Sequence, residues 1–133
     1  MARIDELAPI AYTLLQLIPI GKVTTYGSLA RVLGTSPRVV GRLMALNPNP
    51  VVVPCHRVVM SDGSLGGYNR GGPRVKRMLL EAEGVTFDKR GRVRRSHILH
   101  IDRMLLNVAL LPEDLGQPQP PEVENHGSEG YGE

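Results

Sequence analysis

The chain has 133 residues, 41% of them hydrophobic, with one cysteine, one phenylalanine and no tryptophan. That length supports one domain with a real core plus a tail. A single cysteine excludes an internal disulfide and a cysteine-built structural zinc site, and a reducing, cytoplasmic setting is expected. The formal net charge of +3 hides a division. Residues 112–133 carry six acids and no Lys or Arg, so residues 1–111 hold all 16 bases against seven acids. A body that basic points to a polyanionic partner, nucleic acid first.

Near the N-terminus, Leu7, Ile10, Ala11, Leu14 and Leu15 recur at helical spacing, predicting a helix from Ile4 to about Leu17 that stops before Pro19 and Gly21. Its apolar stretch is too short to cross a membrane, and no basic start or small-residue cleavage site marks a secretory signal. "TYGSLARVLG" reads as a short helix with Leu29, Ala30 and Leu33 inward and Gly34 as its stop. "TSPRVVGRLMALNPNP" starts a second, with Ser36 as N-cap and Pro37 at the first position. Val40, Leu43, Met44 and Leu46 form its apolar face. Two short helices joined by a glycine-containing turn suggest a helix-turn-helix, with Arg31, Arg38 and Arg42 on the polar faces.

"VVVPCHRVV", residues 51–59, reads as a buried strand interrupted by Cys55, His56 and Arg57. A glycine-rich loop follows, from Gly63 to Gly72, permitting close backbone approach. "PRVKRMLLEAEG" predicts a helix stopped by Gly84, "VTFDKRGRVRR" a hairpin turning at Lys89–Gly91, and "SHILHIDRMLLNVALL" a last helix capped by Ser96. The Pro-, Gly- and Glu-rich segment 112–133 is expected to be a disordered acidic tail. The expected fold is therefore mainly α, a winged-helix-like helix-turn-helix domain with short strands or a hairpin over residues 1–111.

Cys55 poses the chemical question. A nucleophilic cysteine acts as the thiolate and needs a proton acceptor, itself oriented by a third group. His56 is adjacent, but strand neighbours point to opposite faces. Among the body's acids, Glu83 at a helix end could point inward, although spacing alone does not select it. The bland alternative is a cysteine that merely packs.

"PCHRV" at 54–58, preceded by "NPNPVVV" and followed by "GSLGGY", resembles the active-site signature of the O6-alkylguanine-DNA alkyltransferases, the methylated-DNA–protein-cysteine methyltransferases. "IPIGKVTTYGSLARVLG", "PRVVGRLMALNPNP" and "KRMLLEAEGV" resemble the family's helix-turn-helix, its recognition helix with asparagine hinge, and its final core helix, covering about residues 4–86. The resemblance implies direct DNA repair, in which a flipped O6-alkylguanine gives its alkyl group to Cys55 once per molecule. It assigns His56 and Glu83 as the proton relay with water between Cys55 and His56, and Asn47 as the hinge. Tyr26, Met44, Val58, Gly66, Tyr68 and Asn69 would bind the base, with Val58 and Cys55 acting through carbonyls and Asn69 through its backbone. Thr25, Tyr26, Arg38 and Gly41 would contact DNA, Arg38 filling the vacated stack. The implied partner is double-stranded DNA carrying O6-alkylguanine, met from the minor groove by a monomer, with no metal, cofactor or membrane.

Three departures stand beside that resemblance. The family's common N-terminal domain has no counterpart before the first helix. The short form and "GVTFDKRGRV" are similar to the alkyltransferase-like proteins, which bind lesions without repairing them, recruit other repair proteins, and lack the cysteine. The segment from Tyr68 to Lys76 is one residue longer than the common spacing, with Arg70 where small residues are frequent. A lesion sensor is thus the alternative reading. A transcription regulator with a structural cysteine is a third.

Overall fold

The computed structural model describes residues 3–109, and the chain divides into two units that part between Asp102 and Arg103. The expected tail, 112–133, lies outside the described residues. Among the described residues no helix is long and apolar enough to cross a membrane.

Helix α1 spans Ile4–Leu15 and buries Leu7, Ala11 and Leu15, an i, i+4 stripe that continues into Ile18. Ile10 falls beside this stripe and is 53% exposed, so it is not the core residue its spacing suggested. Glu6 accepts from the Arg3 backbone N–H at 3.0 Å and closes the helix entrance. Tyr12 reaches across to donate to the Leu43 carbonyl at 2.8 Å.

The helix-turn-helix is present as α2, Tyr26–Leu33, and α3, Pro37–Ala45. Thr25 caps α2 by accepting from the Ser28 N–H, and Ser36 caps α3 by accepting from Val39, with Pro37 following as expected. Gly34 adopts φ 70° and ψ 35° at the end of α2, so the Gly34 and Thr35 N–H groups both return to the Ala30 carbonyl. Val40, Leu43 and Met44 face inward, but Leu46 lies past the last turn of α3 and is exposed.

The valine run is not a buried strand. Pro50 and Pro54 lack the N–H a ladder needs. Val51 takes φ 76°, and Val51 and Val52 are exposed. Pro54, at φ −80° and ψ 65°, centres a tight turn in which the Cys55 N–H meets the Val53 carbonyl at 2.7 Å. Cys55–Arg57 then form one turn of 3-10 helix. Only Val58–Val59 is strand, β2, paired in parallel with β1, Thr24–Thr25, in the register Thr24 to Val58 and Thr25 to Val59. Val58 and Val59 are fully buried.

Helix α4, Gly72–Ala82, ends in a Schellman motif. The Gly84 N–H returns to Glu81 and the Val85 N–H to Leu80, with Gly84 at φ 92°. Val85 and Leu80 join Val23, Val59 and Val93 in a buried cluster against which Leu65, Phe87 and Ile98 pack. The expected hairpin shrinks to one antiparallel bridge, Phe87 to Val93, around the Asp88–Arg92 turn. Ser96 caps nothing. Residues 97–99 lie along Val23 instead, the Val23 N–H donating to His97 and the Leu99 N–H to Val23. The last helix, α5, starts at Ile101 and runs to Ala109. Its first N–H groups are met by Thr24 and Ser28 hydroxyls.

Two glycines with positive φ, Gly34 and Gly63, separate backbone strain from crowding. A Cβ at Gly34 would meet nothing within 4 Å, whereas at Gly63, φ 91°, it would stand 2.9 Å from the Val93 carbonyl oxygen. Gly34→Ala should cost about 1–2 kcal/mol, the left-handed penalty alone. Gly63→Ala should cost clearly more, as measured by urea denaturation.

Candidate active site

Cys55 sits at the first position of the 3-10 turn, 3% exposed, and lines a cavity of about 590 Å³. The volume falls in the range of small-molecule sites. One wall is α3, contributing Pro37, Arg38, Gly41, Met44 and Ala45. The start of α2, Tyr26 and Gly27, and the segment Met60–Ser61 make the opposite side, and Gly66 to Asn69 close it. The N-termini of α2 and α3 both border the space, and the positive ends of their dipoles favour negative charge there.

Behind Cys55 stands a hydrogen-bonded chain. His56 is fully buried, and its Nε2 lies 2.9 Å from Glu83 Oε2. Since the carboxylate only accepts, Nε2 carries the proton and Nδ1 presents a lone pair. Nδ1 is buried and has no partner among the described residues. Arg57 clamps the same carboxylate, its Nε donating to Oε1 at 2.9 Å and its other nitrogen to Oε2 at 2.8 Å. Its remaining nitrogen donates to the Ile18 carbonyl at 2.9 Å. Arg57, adjacent to the signature's histidine, is thus a tether between the segment after α1, the 3-10 turn and the end of α4.

The protonation states follow from these surroundings. Burial pushes the Cys55 thiol up, against the opposing pull of the Asn47 hydrogen bond and the Lys76 ammonium. Burial pushes His56 down despite Glu83, so the imidazole rests neutral at pH 7. Burial alone would raise Glu83, but the Arg57 and then the His56 hydrogen bonds hold it below the usual carboxylate range. A protonated thiol, a neutral imidazole and an ionised carboxylate make a base ready to accept one proton.

Asn47 is buried at the end of α3. Its amide donates to the Val53 carbonyl at 2.8 Å and its oxygen accepts from the Asn49 N–H at 2.9 Å, fixing the loop that delivers Cys55. Asn69 uses its side chain rather than only its backbone. Its amide donates to the Ala45 and Asn47 carbonyls, pinning the glycine-rich loop to the end of α3. Tyr68 sets its ring edge-on to His56, with centroids 6.4 Å apart. At Gly66, φ 70°, a Cβ would stand 3.3 Å from the Tyr26 ring, so the loop there lies close against that ring.

Cys55, Tyr26, Arg38, Gly41, Met44, Gly66, Tyr68 and Asn69 thus share one cavity, while His56, Glu83 and Asn47 stand behind it. Thr25 and Val58 do not line it. Thr25 is 2% exposed as the α2 cap, and Val58 is buried in β2. Cys55's carbonyl already accepts from the Val58 N–H.

Sequence reasoning missed Lys76. It is fully buried, and its ammonium donates to the Leu65 carbonyl at 2.6 Å, the Gly67 carbonyl at 3.1 Å and the Tyr26 hydroxyl at 3.3 Å. Burial lowers its pKa to about 8, while Tyr26 is pushed up to about 12, by burial first and then by Cys55. The available signal was helical spacing, which sets Lys76, Leu80 and Glu83 on one inward face of α4. Among the described residues no cluster of three His, Cys, Asp or Glu could hold a metal ion.

Comparison with known proteins places the chain in a family. Residues 9–85 match the family model described as 6-O-methylguanine DNA methyltransferase, DNA binding domain, and the chain belongs to that family. The methylated-DNA–protein-cysteine methyltransferase of Pyrobaculum aerophilum is 60% identical over 84 residues, which are 63% of this chain and 55% of that protein. The crystal structure of O6-methylguanine-DNA methyltransferase from Pyrococcus kodakaraensis is 49% identical with a TM-score of 0.56, covering 59% of this chain and 46% of that one. S. pombe Atl1, solved with damaged DNA containing O6-carboxymethylguanine, is 32% identical with a TM-score of 0.60, covering 74% of this chain and 98% of that one. The chain therefore spans about half the length of the methyltransferases it matches and nearly all of Atl1.

The buried imidazole gives a sign to the pH dependence of stability. Its folded pKa is depressed, so the unfolded chain binds the extra proton as pH falls below about 6.5. The stability linked to His56 is present above that pH and lost on acidification toward the folded pKa. His56→Gln should flatten the stability profile between pH 7 and 5, measured by urea midpoints against pH.

Proposed function

We propose that this chain repairs DNA by moving the alkyl group of an O6-alkylguanine onto Cys55, once per molecule. The observation that carries the reading is the buried Nδ1 of a neutral His56, without a partner among the described residues, whose Nε2 is held by Glu83 and which follows a cysteine that lines an open cavity. A packing cysteine requires no such base.

The alkylated oxygen is out of reach while the base is stacked, so the nucleotide must be flipped, at a cost of a few kcal/mol. Arg38, in the first turn of α3 at the cavity mouth, offsets that cost by filling the gap, with the duplex met from its minor groove. Tyr26, Met44, Gly66 and Tyr68 receive the base. The thiol proton passes through one water to His56 Nδ1, and Glu83 stabilises the imidazolium. Sulfur then attacks the alkyl carbon, the carbon–O6 bond breaks, and its electron pair stays on guanine. The Tyr26 hydroxyl, polarised by Lys76, supplies a proton to the ring. It is restored from the imidazolium through solvent. In the balance the thiol proton ends on guanine and the alkyl group on sulfur. A thioether has no easy reversal, which makes the protein a stoichiometric reagent that works as a monomer without a cofactor.

The likeness to Atl1 supports a second reading, a lesion-binding protein that flips alkylated guanine and brings in other repair proteins. Mass measurement of the intact protein after incubation with O6-methylguanine duplex separates the two. Alkyl transfer predicts a gain equal to one methylene, located at Cys55 and absent in Cys55→Ser. Tight lesion binding with unchanged mass would sink the transfer reading. Arg38→Ala should weaken lesion binding several-fold in a gel-shift titration under either one.

A further inference from the structure

The basic hairpin that follows α4 has no role in the site described so far. Residues 86–97 contain Lys89, Arg90, Arg92, Arg94 and Arg95 against one acid, Asp88. The family match ends at residue 85, immediately before this segment. Asp88 spends its carboxylate on the turn itself, accepting from the Arg90 and Arg92 N–H groups at 2.8 and 3.0 Å and standing 3.7 Å from the Arg92 side chain. Lys89, Arg90, Arg94 and Arg95 are exposed and make no ion pair among the described residues, although, after the Arg92 N–H, the Arg94 charge helps to hold the Asp88 carboxyl down.

The hairpin is fixed to the cavity rim rather than hanging free. The Val93 N–H donates to the Gly63 carbonyl at 2.8 Å, and Val93 is buried in the cluster with Leu80 and Val85. Phe87 bridges to Val93 and carries the Arg77 guanidinium over its ring at 4.3 Å. Gly63 belongs to a tight turn, with its N–H on the Met60 carbonyl and the Met60 N–H on Ser64. Met60 and Ser61 of that turn line the cavity. A Cβ at Gly63 would collide with the Val93 carbonyl, so turn and hairpin are in direct backbone contact. The cavity thus has α3 with Arg38 on one wall, and on the other a rim joined through one glycine to four exposed cations.

We propose that this hairpin is a second DNA-contacting element, gripping the phosphate backbone beside the nucleotide that enters the cavity. The inference rests on the duplex-binding reading of α3. Exposed Lys and Arg on a turn read charge and not sequence, and their phosphate contacts release counterions. Because the hairpin is already ordered by the core, little conformational entropy is lost on contact. It grips the duplex at a second point while the base is drawn out, which resists the twisting that extrusion imposes.

The test compares the full chain with the combined variant Lys89→Ala/Arg90→Ala/Arg94→Ala/Arg95→Ala, with Arg90→Lys/Arg94→Lys/Arg95→Lys, and with Arg38→Ala. Affinity is titrated against salt on undamaged and O6-methylguanine duplexes, and urea midpoints report folding. The fourfold alanine variant should fold normally and bind roughly tenfold or more weakly on both duplexes. Its salt slope should fall by about 2 to 4, near 0.9 per lost phosphate contact. The lysine variant should keep the slope. An unchanged slope in the alanine variant while Arg38→Ala weakens binding would overturn the inference and leave the duplex-binding reading intact. An equal loss in the lysine variant would overturn it too, by showing that shape and not charge matters. Failure of the unaltered chain to bind either duplex would overturn both.

Discussion

Glu83 is the point on which the site depends. Its two carboxylate oxygens are shared by Arg57, in a two-pronged grip, and by the imidazole of His56. The residue sits at the C-cap of α4, and Gly84 turns the chain away at once, which holds the carboxylate at the helix end. Arg57 carries the connection on to the Ile18 carbonyl beyond α1. One carboxylate therefore joins three elements distant in sequence and also sets the tautomer of the histidine behind the cysteine. Removing either partner of a part-buried ion pair leaves an uncompensated charge, costing several kcal/mol. The catalytic arrangement and the packing of this region are for that reason not separable.

Lys76 plays the corresponding part on the cavity side. A glycine-rich loop has many conformations to lose, and left alone it would not hold a wall. Three donors on one buried ammonium meet two carbonyls of that loop and the Tyr26 hydroxyl, and Asn69 fastens its far end to α3. Gly66 and Gly67 of that loop line the cavity together with Tyr68 and Asn69.

Much of this was legible in the sequence, and the failures have physical causes. The helices α2, α3 and α4 were readable because Ser36, Pro37, Gly34 and Gly84 each act locally on the chain. The cysteine, its histidine and the glutamate were legible through family resemblance, whereas the hydrogen bond of His56 to Glu83 was not. A strand was expected through Cys55 and His56, and the turn at Pro54 and the 3-10 turn replace it. The valines at 51 and 52 misled because β-branching signals strand while neighbouring prolines deny the ladder. Ser96 misled because the true caps of α5 come from Thr24 and Ser28, far away in the chain. Lys76 was hidden by composition, since a lysine is read as surface unless the helical face is drawn.

The cavity-facing stripe of α3 has a consequence of its own. Pro37, Gly41 and Ala45 carry no side-chain donor or acceptor, and a Cβ at Gly41 would meet no atom within 4 Å. A helix that identifies base pairs needs amides, guanidiniums or carboxylates on that stripe. This one offers a single guanidinium, Arg38, beside small or apolar residues. A duplex bound there as proposed would be judged more by how readily it deforms than by which letters it spells. On the proposed duplex-binding reading, the helix would work as a feeler gauge, passing over every sequence alike and stopping where a nucleotide gives way.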